Sequence, residues 1–242
     1  MIDFSTLRRL TIPDGRVKKI EAGGMVLWQE KVNDDIILEV KKITDTVYTA
    51  EGTKEETFIL LSVYGISGEE ITVTYGGLTK TVKFSGFGEN VFFGTFRRES
   101  DEVETPASGT LVIKGNCTAV AVGNYPTGKN SPNGYYSGVT AITSLGSITE
   151  LPDFAFYNCY EITDVTIPAT VTSVGSSALP FTGDSTYTHT ITMLSTTPPA
   201  IEGSLSLGYY GVVTIVVPAG CAEVYKSAEG WDYYADVIVE GS

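Results

Sequence analysis

Histidine is nearly missing from this chain: His189 is the only one in 242 residues. Any Ser-His-Asp or Cys-His arrangement for nucleophilic catalysis must therefore run through that one side chain. Cysteine is scarce as well. Cys117, Cys159 and Cys221 are odd in number, far apart and without a Cys-x-x-Cys pair, which speaks against a zinc motif and against a disulfide framework. No stretch approaches the ~18 apolar residues of a membrane-spanning helix, and "MIDFSTLRRL" lacks the apolar core of about 7–15 residues that a signal peptide needs. Neither G-x-x-x-x-G-K-[ST] nor a strand-linked G-x-G-x-x-G occurs, so nucleotide binding is not expected. The D-x-[DN]-x-[DN]-G calcium loop is absent too, and Asp153, Glu161, Asp164 and Asp184 are scattered rather than clustered. The expectation is a protein with no metal, no cofactor and no catalytic residues.

Basic residues are few, 16 against 29 acidic ones, for a formal charge of −13. From Lys129 onward there are 11 acidic residues and only Lys129 and Lys226 to oppose them. An acidic half of this kind repels phosphate, which argues against nucleic acid and against an anionic bilayer as partner.

What the chain does contain is 26 glycines, many Thr, Val and Tyr residues, and short alternating apolar runs broken by Gly, Asn and Asp. This texture predicts a mainly β protein. Three zones follow. Residues 1–32 alternate around Asp14-Gly15 and Gly23-Gly24 and read as a β-hairpin module of two or three strands. So short a piece buries little alone, so it is expected to dock on the next domain or on another chain, a route to oligomers. Residues 33–128 hold "IILEV", "FILLSVYG", "EITVTYGGLTKTVKF", "NVFFGTF" and "TLVIKGNCTAVAV", a spacing that fits an immunoglobulin-like β-sandwich. In its clearest hairpin Ile71, Val73 and Tyr75 face one side, Gly76-Gly77 turns, and Leu78, Val82 and Phe84 return. The Pro-, Gly- and Asn-rich "YPTGKNSPNGYYSG" marks the junction to residues 129–242.

That last zone repeats itself. Ile162, Val165 and Ile167 recur as Val212, Ile215 and Val217, with Thr188, Ile191 and Met193 between them and Val139, Ile142 and Ser144 upstream. In a second register, Ile148, Leu151, Ala155 and Phe156 return as Val171, Val174, Ala178 and Leu179. Periods in the twenties predict a short leucine-rich solenoid, with three apolar positions per strand turned inward and the positions between them outward. In that frame Cys159 points inward as a structural residue, His189 takes an outward position, and Asn158 satisfies backbone groups in a turn. Thr163, Asp164 and Thr166 on one strand, Thr190 and Thr192 on the next and Thr214 on a third form a polar face suited to binding. Near the end, Tyr209, Tyr210, Trp231, Tyr233 and Tyr234 supply aromatics that serve either as a lid on the last repeat or as anchors for sugar or protein, with Trp231 and Tyr233 the candidate anchors.

The segment "AFYNCYEITDVTIPATVTSVGSSAL" closely resembles the BspA-like leucine-rich repeat. It has that family's Ala-Phe, Asn-Cys and strand ending in Ile-Pro, then Val171-x-x-Val174-Gly175 for the family's Val-x-x-Ile-Gly return, with Leu179 where phenylalanine is usual. The likeness covers about 110 residues at the C-terminal end. "TIPDGRVKKIEAGGMVLW" is similar to a short module of prophage structural and tail-associated proteins from gut Firmicutes. These resemblances imply a non-enzymatic binding or structural protein that contacts a protein or glycan on a cell surface or in extracellular matrix. It would sit on a prophage particle or at a bacterial cell surface. The alternatives are a secreted adhesin lacking its leader and, from another class, a carbohydrate-active hydrolase using paired carboxylates.

Overall fold

A computed structural model describes residues 8–11, 17–22, 25–29, 35–49, 52–86, 88–94, 106–122, 138–157, 159, 161–179, 188–205, 207 and 212–241. The turn signals at Asp14-Gly15 and Gly23-Gly24, the junction up to Ser137, and Asn158, Asp184, Tyr209 and Tyr210 lie outside them. The protein is mainly β. Contacts divide it into two units, Met1–Asn33 and Asp34–Ser242.

The first unit is an antiparallel meander of β1 (Arg8–Thr11), β2 (Val17–Ala22) and β3 (Met25–Gln29), in that order. Pairing runs Arg9 to Ile20 to Trp28, with register shifts in both pairs.

The second unit opens with two antiparallel sheets. One takes the order β12-β4-β10-β7-β8, from β4 (Ile36–Lys41), β7 (Glu70–Tyr75), β8 (Leu78–Lys83), β10 (Ser108–Lys114) and β12 (Val139–Leu145). The other is β11-β6-β5, with β9 also on β6, from β5 (Ile43–Thr49), β6 (Gly52–Tyr64), β9 (Glu89–Gly94) and β11 (Ala119–Val122). Strict alternation drives the stacking: β4 buries Ile36, Leu38 and Val40 while Ile37 and Glu39 look outward. Ile59, Leu61 and Val63 of β6 meet them in the same core, where Tyr75 sets its ring edge-on to Phe93 at 5.7 Å. The β7–β8 hairpin turns at Gly76 and Gly77, both with positive φ, 56° and 85°, the pair of values a two-residue hairpin turn asks for. Lys80 breaks the apolar pattern of β8 and lays its ammonium 5.1 Å from the Phe93 ring centre.

Beyond β12 the chain shuttles between two parallel sheets. One is β14-β16-β18-β19, made of Asp164–Ile167, Thr188–Met193, Val212–Val217 and Ile238–Glu240; the other is β13-β15-β17, made of Glu150–Leu151, Ser173–Gly175 and Ala200–Glu202. A short helix α1 (Ala222–Lys226) and a 3-10 helix (Asp232–Val237) close the C-terminal end. Leu151 pairs with Val174 and Val174 with Ile201, and Ile148, Ala155, Phe156, Val171, Ala178 and Leu179 are all buried. The same bonds recur 23 residues apart: Ala155 N donates to Pro152 O, and Ala178 N to Gly175 O. Phe154 and Ser177, again 23 apart, are the two described non-glycine residues with positive φ, 58° and 51°.

These parallel sheets grow from the antiparallel ones. Thr149 N donates to Thr118 O at the start of β11, Thr172 N to Thr149 O, and Ala200 N to Thr172 O, at 2.8–2.9 Å. β11 is accordingly buried on both faces. On the other side β12 lies alongside β14, Lys41 pairs with Glu161, and one continuous hydrophobic core runs through the unit. The strand Val139–Leu145 thus differs from its expected place as a first repeat strand. It pairs antiparallel with β4, shifting register twice, so Ile142 and Ser144 end half-buried.

Candidate functional site

The outward face of the sheet β14-β16-β18-β19 is built by register. Val165, Ile191, Ile215 and Ile238 stack inward across four strands, and Ile167, Met193 and Val217 stack beside them. The residues between must then point to solvent. Asp164, Thr190 and Thr214 form one cross-strand row; Thr166, Thr192, Val216 and Val239 form the next. Asp164 and Thr166 are exposed, Thr190, Thr192 and Thr214 half-buried, and Val239 is 44% exposed. Thr163, at the head of β14, donates its hydroxyl to Asp164 Oδ2 at 2.9 Å, and its carbonyl accepts from Thr190 N at 2.7 Å. Five of the sequence candidates, Asp164, Thr166, Thr190, Thr192 and Thr214, therefore share one face, and Thr163 is exposed just before the first strand. Adjacent strands lie about 4.8 Å apart, so the rows present methyl and hydroxyl groups at regular spacing, with one carboxylate.

His189 does not belong to that face. It is 1% exposed, next to inward-facing Ile191 by strict alternation, and its Nδ1 stands 2.6 Å from Ile162 O. A carbonyl only accepts, so Nδ1 carries the proton, and Nε2 has no hydrogen-bond partner among the described residues. The expected frame, with Thr188 inward and His189 outward, is off by one residue: Thr188 is exposed, and His189 is buried beside its register partner Val213, which is buried too. Cys159 is likewise 1% exposed. A thiol and an imidazole both closed off from solvent have no access to a substrate. Cys117 is buried too, and burial pushes its thiol up to about 11, only partly offset by the backbone groups of Tyr64 and Ala119. Among the described residues no group of three His, Cys, Asp or Glu could hold a metal ion.

The terminal aromatics divide. Trp231 is fully buried, donates Nε1–H to Pro199 O at 2.8 Å and packs edge-to-face on Tyr225 at 5.2 Å. It is therefore withdrawn from the surface candidates, because an enclosed indole cannot meet a ligand. Tyr233 is 85% exposed. The 3-10 winding separates them: residues three apart share a side, so Trp231 and Tyr234 turn inward, the Tyr234 hydroxyl accepting from Leu205 N at 3.2 Å, while Tyr233 turns out. Tyr225 went unnoticed in the sequence. It is fully buried, donates to Ser195 O at 2.8 Å, and burial with the nearby Cys221 pushes its phenol up to about 12. The signal was there in Ala222, Tyr225 and Ala228, spaced as one face of a helix.

No helix among the described residues is long and apolar enough to cross a membrane. No family model, curated protein or solved structure matches the chain.

Proposed function

We propose that this chain is a non-enzymatic recognition protein. In this reading an immunoglobulin-like sandwich carries a short leucine-rich solenoid of BspA-like type, whose outer sheet contacts a protein or glycan on a cell surface or in extracellular matrix. The carrying observation is the pair of cross-strand rows, Asp164-Thr190-Thr214 and Thr166-Thr192-Val216-Val239. They form a partly exposed, nearly uncharged strip on a unit whose acidic residues otherwise dominate. Exposed Tyr233 adds an aromatic contact outside that sheet. A protein of this kind would act on a prophage particle or at a bacterial surface, where a rigid repeat surface is presented to host material.

The test is a binding screen of the full chain against glycan arrays and immobilised matrix proteins, with Asp164→Lys and Thr166→Arg as paired variants, at the two exposed positions of the rows. Both positions face solvent, so melting should stay unchanged while binding falls at least tenfold. Ligands that bind the parent and both variants equally would refute the assignment of this face.

A further inference from the structure

Among the described residues six large apolar side chains are exposed: Ile66, Phe154, Leu194, Val224, Tyr233 and Val239. Exposed singly, such residues are ordinary. Leu194 and Val239, however, belong to one sheet face, the outer face of β14-β16-β18-β19. Leu194 N donates to Ile167 O at 3.0 Å and Gly241 N to Val217 O at 2.8 Å, so parallel pairing runs one residue past the ends of these strands. With Ile167, Met193 and Val217 turned inward, alternation turns Pro168, Leu194 and Pro218 outward as a third row. Leu194 is 51% exposed, and both prolines are half-buried. The face therefore changes character along its strands. It begins with Asp164, Thr190 and Thr214, passes through Thr166, Thr192, Val216 and Val239, and ends in an aliphatic shelf of Leu194, Pro218, Val216 and Val239.

We infer, on the recognition role proposed for the same face, that this shelf receives a protein whose contact pairs an aliphatic or aromatic side chain with lysine or arginine. The side chains of Leu194, Val216, Val239 and the two prolines offer no hydrogen bond, so a glycan laid there would lose water from its hydroxyls without replacement. An apolar side chain has no such loss, and an apolar centre beside polar groups is the make-up of a protein interface. Charge sets the rest. From Gly138 onward the chain has 11 acidic residues and one basic residue, Lys226, which itself lies 4.0 Å from Glu223. Asp164 is exposed at one corner of the face, and Glu240 is exposed next to Val239. A basic partner is drawn to this field, whereas an acidic protein or an anionic bilayer is turned away.

The probe is a displayed library of random peptides, selected on the immobilised full chain. Recovered peptides should combine Lys or Arg with Leu, Ile, Val or Phe. The double variant Leu194→Thr, Val239→Thr removes apolar surface without adding charge. Both positions are exposed, so melting should hold while peptide binding weakens about tenfold or more. Asp164→Lys should weaken the same peptides, and so should raised salt. Peptides without basic residues, or peptides that bind the double variant as tightly as the parent, overturn the proposal. So does failure to recover any peptide, or a glycan ligand that the double variant still holds. Such a glycan, if released by Asp164→Lys and Thr166→Arg, would leave the recognition role of the face standing, whereas a chain that binds neither peptide, glycan nor matrix protein overturns both.

Discussion

Truncating Trp231 to alanine is expected to cost about 4–8 kcal/mol. The indole is fully buried, and burying roughly 200 Å² of aromatic surface at about 25 cal/mol per Å² amounts to about 5 kcal/mol as an upper figure. Measured truncations of buried aromatics cluster at about 3–5 kcal/mol. Loss of the Nε1–H bond leaves Pro199 O without its donor, which adds about 1–3 kcal/mol. Set against a typical domain stability of about 5–15 kcal/mol, that is a large fraction of the whole. Trp231→Phe separates the terms. It keeps a ring against Tyr225 but loses the hydrogen bond, so it should cost only about 1–3 kcal/mol for the bond. Urea unfolding followed by far-ultraviolet circular dichroism reads both. Because one core runs from β4 to the 3-10 helix, the unit Asp34–Ser242 should lose stability in a single transition. An unchanged midpoint for Trp231→Ala would refute the lid assignment. Splitting into two transitions, of which only one moves, would refute the continuous core.

Gly175→Ala should destabilise by about 1–3 kcal/mol, because a Cβ there meets Asp153 N and comes within 2.7 Å of Asp153 Oδ1 and Pro152 C in the neighbouring turn; a parental melting temperature would show the turns are looser than described. Alkali should weaken the fold through two groups with raised values. Tyr225 moves from 10.0 to about 12 and Cys117 from 9.0 to about 11, so their contribution is full below the unfolded values and is lost as pH rises through the folded ones. The same denaturation repeated from pH 8 to 12 checks this, and Tyr225→Phe should flatten the upper part of the decline. Phe154 holds φ 58° and is 37% exposed, with its ring 5.5 Å from Tyr157. Gly there should be close to neutral, relief of about 1–2 kcal/mol of left-handed strain offsetting the lost ring contact, whereas β-branched Val should cost more than Gly; the reverse order in thermal melts would count against the strain. Ile167→Asp buries an unpaired carboxylate among Met193 and its neighbours and should unfold the unit.

Local periodicity made much of this legible. The alternation in Ile71, Val73 and Tyr75 with Gly76-Gly77 fixed a hairpin, and the match of Val165 to Ile191 to Ile215 identified strands that pair in register. Where reading failed, two rules competed or the partner was distant. At His189 the repeat spacing taken from Ile162 pointed outward, but the strict period of two running back from Met193 and Ile191 turns the ring inward, and within a strand the pleat wins. The strand Val139–Leu145 looked like a repeat strand by spacing alone; its partner β4 lies about a hundred residues upstream, and no local pattern carries that pairing. Trp231 and Tyr233 sit in one aromatic cluster, and only the three-residue turn of a 3-10 helix sends them to opposite sides.

Parallel strands stacked in register leave an open row of apolar side chains at each end, and each end must be closed for the stack to stay in solution. At the C-terminal end Tyr225 and Trp231 close it, and their polar atoms satisfy the carbonyls of Ser195 and Pro199. At the N-terminal end the closure comes from the antiparallel sheets, through Thr118 O beside β11 and through β12 beside β14. The outer rows through Asp164 and Thr166 are thus anchored to the antiparallel sheets, with Lys41 and Glu161 pairing across the seam. Under the proposed recognition role, a surface held from both ends would lose less ordering entropy on contact. A binding measurement on that reading should be spent on the exposed Asp164 and Thr166 rather than on the enclosed His189 and Cys159.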